Sequence, residues 1–193
     1  LWVTDIDRIV AIKTSTGKKS TSFKVAGAKF LNDIAIDLEE NVYVSDMLTD
    51  RIHVVKKSKK ESVFRSGADL ESPNGLFAGG ESLYVASWGP GIGSDFSTKA
   101  PGKILNLNLA TNLISPWVPL PIGNLDGLEF EGTESAFVSD WMNGKIYRVK
   151  KSGECEVILE GFKGSADFTF IASTRTMVIP VMGEDRVVAY RIP

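Results

Sequence analysis

The sequence predicts an all-β fold, a β-propeller of four-stranded antiparallel blades, and three observations predict it. A thirteen-residue phrase is written twice, as YVSDMLTDRIHVV (43–55) and FVSDWMNGKIYRV (137–149), and three looser copies accompany it. Each copy is an alternating apolar run, a polar link and a second alternating run, the period-2 signature of half-buried strands. No stretch has the 3.6-residue periodicity of an amphipathic helix.

The copies define two strands of a repeat, here named B and C. Besides the two full phrases they are LWVTDIDRIVAI (1–12), LYVASWG (83–89) with its second half delayed to GKILNL (102–107), and MVIPVMGEDRVVAY (177–190). The links LTD, MNG and GED supply the Asp, Asn and Gly that tight turns need. A further strand, A, precedes four copies: LNDIAID (31–37), PNGLFAG (73–79), LDGLEFE (125–131) and ADFTFIA (166–172). A fourth, D, follows four: STSFKV (20–25), ESVFRS (61–66), LISPWV (113–118) and CEVILE (155–160). Four short strands in roughly 41–52 residues is the repeat of a propeller, whose blades bury their faces only by stacking in a ring.

The chain then reads as one propeller domain over 1–193. It has a partial blade B-C-D (1–27), full blades at 31–66, 73–118 and 125–160, and a partial blade A-B-C (165–193). That is about 4.5 blades of a six-bladed parent, with the N-terminal portion expected before Leu1, where LWVTD opens in mid-strand. Open blade edges point to self-association. Localisation, periplasmic or secreted against cytoplasmic, is not readable from such a start.

Composition excludes several function classes. Among 193 residues, 24% are charged and the net charge is −2, so nucleic acid is not an expected partner. Lysines at Lys18-Lys19 and between Lys56 and Lys60 read as solvated hairpin tips. No apolar run is long enough for a membrane span. A single cysteine, Cys155, allows neither an intrachain disulfide nor a thiolate metal cluster. The single histidine, His53, lies in an alternating run and reads as structural, which argues against histidine-pair catalysis.

In a propeller the A-strand starts and the B–C links converge on one end of the channel. The A-strand starts align as Asn32, Asn74, Asp126 and Asp167, an oxygen-rich ring of the kind hard cations require. Asn and Asp also favour turns before strands, which is the plainer reading of any one of them. The links contribute Asp5, Asp46 and Asp140, read either as further site carboxylates or as hairpin caps. Trp88 and Trp141 follow directly, with Met47 and Met142 nearby, and either line the cavity or pack between blades. The Gly- and Pro-rich excess WGPGIGSDFSTKAPGK (88–103) belongs on the same face, as a lid or a plain surface excursion.

The words FLND, SPNGL and NLDGLEF, on blades of the form VSDW…GKIYRV, resemble the regucalcin/gluconolactonase family of six-bladed propellers. The resemblance covers essentially the whole chain. It implies a divalent metal, calcium first with zinc and manganese as alternatives, at the top of the channel. It carries Asn74 and Asp126 over as metal ligands and Asn32 as a substrate contact; the family's glutamate ligand, from the first blade, has no counterpart here. Asp167, Trp88 and Trp141 join the substrate side on the ring geometry alone. The implied reaction is hydrolysis of a small sugar lactone, with Asp126 assisting proton transfer. The competing readings are a propeller that binds a ligand or protein without chemistry, as NHL-type scaffolds do, and a strictosidine-synthase-like condensing enzyme, whose glutamate is not identifiable here.

Overall fold

A computed structural model describes residues 1–58 and 60–193; within the lysine cluster expected at a hairpin tip, Lys59 lies outside the described residues. Among the described residues, eighteen strands and three single-turn 3₁₀ segments account for the regular structure. No helix among the described residues is long and apolar enough to cross a membrane.

The strands form five antiparallel sheets in chain order. The first sheet is β1 (Trp2–Asp5), β2 (Arg8–Lys13) and β3 (Lys18–Lys24). The second is β4 (Leu31–Ile36), β5 (Val42–Asp46), β6 (Arg51–Val55) and β7 (Glu61–Ser66). The third is β8 (Pro73–Gly79), β9 (Ser82–Ser87), β10 (Ile104–Asn108) and β11 (Ile114–Pro116). The fourth is β12 (Leu125–Glu131), β13 (Ser135–Asp140), β14 (Lys145–Lys150) and β15 (Cys155–Glu160). The fifth is β16 (Thr169–Ile171), β17 (Thr176–Val181) and β18 (Arg186–Arg191).

Strand β16 is shorter than the alternation in ADFTFIA suggests. Upstream of Thr169 the pairing is reduced to an isolated bridge between Ser165 and Val181, and the Asp167 carboxylate accepts the Phe168 N–H (2.8 Å).

The core is four separate layers, one between each pair of successive sheets. Ile9 and Val25 meet Leu31, Val42 and Val44 across the first interface. Ile52 and Val54 meet Leu76, Leu83 and Leu107 across the second. Ala86, Ile104 and Trp117 meet Leu125, Leu128 and Val138 across the third. Phe137 and Ile146 meet Met177, Ile179 and Ile192 across the fourth. Face-to-face stacking of this kind is what a repeat unable to bury both faces alone must do, and it makes the chain a β-propeller.

Two repeated devices shape the end of the channel where the A strands begin. The B–C links close at left-handed residues, Asp50 (φ 48°), Gly144 (φ 61°) and Asp185 (φ 49°), one in each of LTD, MNG and GED. The A strands begin with a register shift, between Leu31 and Ile34, Pro73 and Leu76, and Leu125 and Leu128. Such bulges re-aim side chains out of the ladder alternation, and here they fall on Asn32-Asp33, Asn74-Gly75 and Asp126-Gly127.

Candidate functional site

The bulged A-strand starts open into a cavity of about 520 Å³ that Asn32, Asn74, Asp126 and Asp167 all line, together with Trp88 and Trp141. All six side chains expected at a site from the sequence therefore share one chamber. Backbone approach makes the ring tight. A Cβ on Gly75 would lie 1.8 Å from the Asp126 carbonyl oxygen, and one on Gly127 would lie 2.6 Å from an Asp167 carboxylate oxygen. The glycines after Asn74 and Asp126 are thus what let those A strands approach their neighbours so closely.

The V-S-D serines tie the ring together. Ser45 accepts the Asp33 N–H (3.0 Å) and donates to the Asn74 carbonyl of the next sheet (2.7 Å). Ser139 accepts the Gly127 N–H (2.7 Å) and donates to the Ala166 carbonyl (3.0 Å). Thr4 donates likewise to the Asn32 carbonyl. Ser87 departs from the pattern and pairs with Lys103 where the long insertion returns.

Asp46 and Asp140 brace loops and do not line the cavity. Asp46 accepts the Phe30 N–H (2.9 Å) and the Thr49 hydroxyl (2.6 Å). Burial alone would raise its carboxyl, but the nearby His53 ring and hydrogen bonds from Thr49, Phe30 and Lys29 outweigh that and hold it below the usual range. Asp140 accepts the Asn143 backbone N–H (3.2 Å) and side-chain amide (2.7 Å). Asp5 lies on the exposed first sheet, away from the cavity lining. His53 is buried against Glu61 (3.0 Å), in keeping with a structural role.

Two floor residues have acceptors without donors. Asn74 is 1% exposed, and its Nδ2 donates to the Leu125 carbonyl (3.0 Å), which orients the amide and leaves Oδ1 buried with no partner. Asp126 is 9% exposed, and desolvation, then the neighbouring Asp167 carboxylate, push its pKa up to about 7. Asp167 faces solvent in the chamber, and desolvation raises it against the hydrogen bond from Phe168.

A third carboxylate, Asp33, escaped the sequence reading. It stands where the next two repeats have glycine, and it accepts the Leu76 N–H of the next sheet and the Ile34 N–H (both 2.6 Å). Desolvation, then Asp167 and Asp126, push it well above the usual carboxylate range despite those bonds. Asp33, Glu129 and Asp167 line a second chamber of about 250 Å³. Asp167 lines both chambers, so acidic groups mark both sides of the ring.

Above the floor the walls are apolar. The N–H groups of Met47, Trp88, Trp141 and Met182 each bond a carbonyl just ahead of an A strand, those of Phe30, Ser72, Asn124 and Gly164. These four residues are therefore equivalent, and their side chains form a second ring. Trp88 and Trp141 pack 6.0 Å apart between centroids. The insertion reaches over this ring. Phe96 meets Phe30 and Trp88 edge-on (6.1 and 6.3 Å), and its carbonyl accepts the Trp88 indole N–H (2.9 Å).

The oxygen acceptors left open in the chamber are Asn74 Oδ1 and the Asp126 and Asp167 carboxylates. No group of three or more His, Cys, Asp or Glu among the described residues converges on a metal position, so any metal ion there must lean on amide oxygens.

Fold and site together define a β-propeller with a small-molecule-sized cavity at one end of its channel. Solved structures share that fold. A nidogen/laminin complex matches with a TM-score of 0.79 at 18% identity, over 99% of this chain and 71% of that one. A gluconolactonase from Xanthomonas campestris matches with 0.72 at 14% identity, over 96% and 65%. Virginiamycin B lyase from Staphylococcus aureus matches with 0.70 at 16% identity, over 97% and 60%. The chain thus spans about three fifths to seven tenths of these proteins, and at such identities the likeness shows the fold alone. No protein-family model and no curated protein matches by sequence.

Proposed function

We propose that this chain carries the metal-binding part of a lactone hydrolase of the gluconolactonase type, built on a six-bladed parent ring. The observation that carries the reading is the unpartnered, buried Asn74 Oδ1 beside the Asp126 carboxylate, two oxygen acceptors with no protein donor. Asn74 and Asp126 would hold a divalent cation, calcium with manganese and zinc as alternatives. When bound, such an ion supplies Lewis acidity to an ester carbonyl and acidifies water. Asn32 binds the lactone at the chamber wall. Asp126 would assist the proton transfer from water as the water oxygen bonds to the carbonyl carbon. The ring C–O bond breaks, and the proton passes to the departing oxygen.

A thermal-shift titration with calcium, manganese and zinc tests the reading. At a hundredfold excess over Kd, binding adds about 2.7 kcal/mol, or roughly 5–10 °C in Tm for a chain of this size. The rise should vanish in Asp126→Ala and Asn74→Ala. No rise with any of the three ions overturns the reading.

A second reading, a propeller that binds without chemistry, is favoured by the rim residues Met142 and Met182, which are 53% and 62% exposed. Methionine side chains, unbranched and adaptable, recur at binding surfaces. A ligand that binds without turnover in the metal-loaded protein would select it.

A further inference from the structure

We infer that the substrate is a lactone with an apolar body, an alkyl or aryl lactone, and not a polyhydroxylated sugar lactone. The inference rests on the lactonase reading for the reacting group and on the cavity walls for the rest of the molecule.

The walls present four structurally equivalent apolar side chains, Met47, Trp88, Trp141 and Met182, with Phe30 and Phe96 beside them. A sugar lactone carries several hydroxyls, and each must exchange its water hydrogen bonds for protein ones or lose them on entry. The walls have little to exchange. Trp88 Nε1 is already given to the Phe96 carbonyl, and the amide of Asn74 to the Leu125 carbonyl. Asp95 is turned onto Ser97, whose N–H and hydroxyl bond its Oδ1 (3.1 and 2.7 Å). That leaves the Asn32 amide and the Trp141 indole N–H as donors available to hydroxyls, with Asn74 Oδ1 and the Asp126 and Asp167 carboxylates as acceptors at the polar end of the chamber.

Charge selects in the same direction. Among the described residues no Lys, Arg or His lines the chamber, while Asp95, Asp126 and Asp167 do. Away from the cation, phosphorylated or carboxylated substrates would meet only like charge from the protein. An ester ring can sit on the polar floor with its apolar substituent along the Trp and Met ring, in a volume of about 520 Å³, within the usual range for small-molecule pockets. Methionines at two rim positions suit substituents of varied shape, because the unbranched thioether repacks easily.

Isothermal titration calorimetry of the intact chain with γ-hexalactone, γ-nonalactone and glucono-δ-lactone tests this, with and without manganese. Each buried methylene tightens binding about fourfold. The three extra methylenes of γ-nonalactone should therefore lower Kd at least about tenfold, with glucono-δ-lactone weakest. Met182→Glu, at an exposed rim position that folding does not depend on, should flatten the gain with chain length. Glucono-δ-lactone binding as tightly as γ-nonalactone overturns the inference and leaves the lactonase reading standing. No binding of any lactone overturns the inference as well. Chain-length-dependent binding with no ring opening in the manganese-loaded protein supports the apolar ligand class and overturns the lactonase reading.

Discussion

Replacing Asp126 by asparagine should make the protein more stable at neutral and alkaline pH, because the floor of the chamber holds a carboxylate with nothing to stabilise its charge. Desolvation, then repulsion from Asp167, raise the Asp126 pKa from 3.8 to about 7. A raised acid keeps its proton in the folded protein while the unfolded chain has lost it. The folded state therefore binds more protons between about pH 4 and pH 7, and stability falls as pH rises through that window. The penalty is absent below about pH 4 and complete above about pH 8. Three units at about 1.4 kcal/mol each give on the order of 4 kcal/mol. Asp33 and Asp167 are raised in the same direction and remain in the variant, so the difference between the two proteins isolates Asp126 and its repulsion of Asp167. Urea unfolding in the presence of chelator, followed by tryptophan fluorescence from pH 4.5 to 8.5, measures it. The curves should converge at low pH and separate by a few kcal/mol at pH 8. Parallel curves within about 1 kcal/mol across the range would mean that solvent already satisfies the carboxylate, and the argument for a cation at this position would lose its main support.

Two further substitutions probe the ring. Ser45→Ala removes one hydroxyl from between two sheets and leaves the Asp33 N–H and Asn74 carbonyl without their partner, a loss of about 2–3 kcal/mol measurable by chemical denaturation; a loss below about 0.5 kcal/mol would show that the hydroxyl does not join the sheets. Gly75→Ala places a Cβ 1.8 Å from the Asp126 carbonyl oxygen, backbone that cannot move aside, so the variant should lose several kcal/mol or fail to fold, whereas the same change at solvent-facing Gly132 should cost far less.

Strands were the most legible part of this molecule, because period-2 alternation is a local signal and five copies reinforce one another. Asn32, Asn74, Asp126 and Asp167 were legible for a related reason: equivalent positions of a ring face one axis, so alignment of repeats stands in for distance. Other features needed three dimensions. Ser45 and Ser139 bond to the next sheet, which no local pattern records. Asp46 and Asp140 were open to two readings, and only their partners show that they brace loops. The equivalence of Met47 with Trp88, Trp141 and Met182 was half visible in the aligned links, but their common orientation depends on the N–H bonds that pin each link to the next A strand.

Asp33 shows most clearly where repeat logic stops. Its repeat equivalents, Gly75 and Gly127, admit a neighbouring backbone or side chain within 3 Å of where a Cβ would stand. At Asp33 the same position instead sends a carboxylate across to the Leu76 N–H, adding an acid beneath the ring. The insertion after Trp88 is a second departure from the repeat, and it brings Phe96 over the same chamber. A symmetric ring of identical blades would offer a uniform funnel. The two departures break that symmetry on opposite sides of the ring residues, charge below and an aromatic cover above. A ring flanked in this way has a charged side and an apolar side, which is a distinction the repeat by itself cannot make.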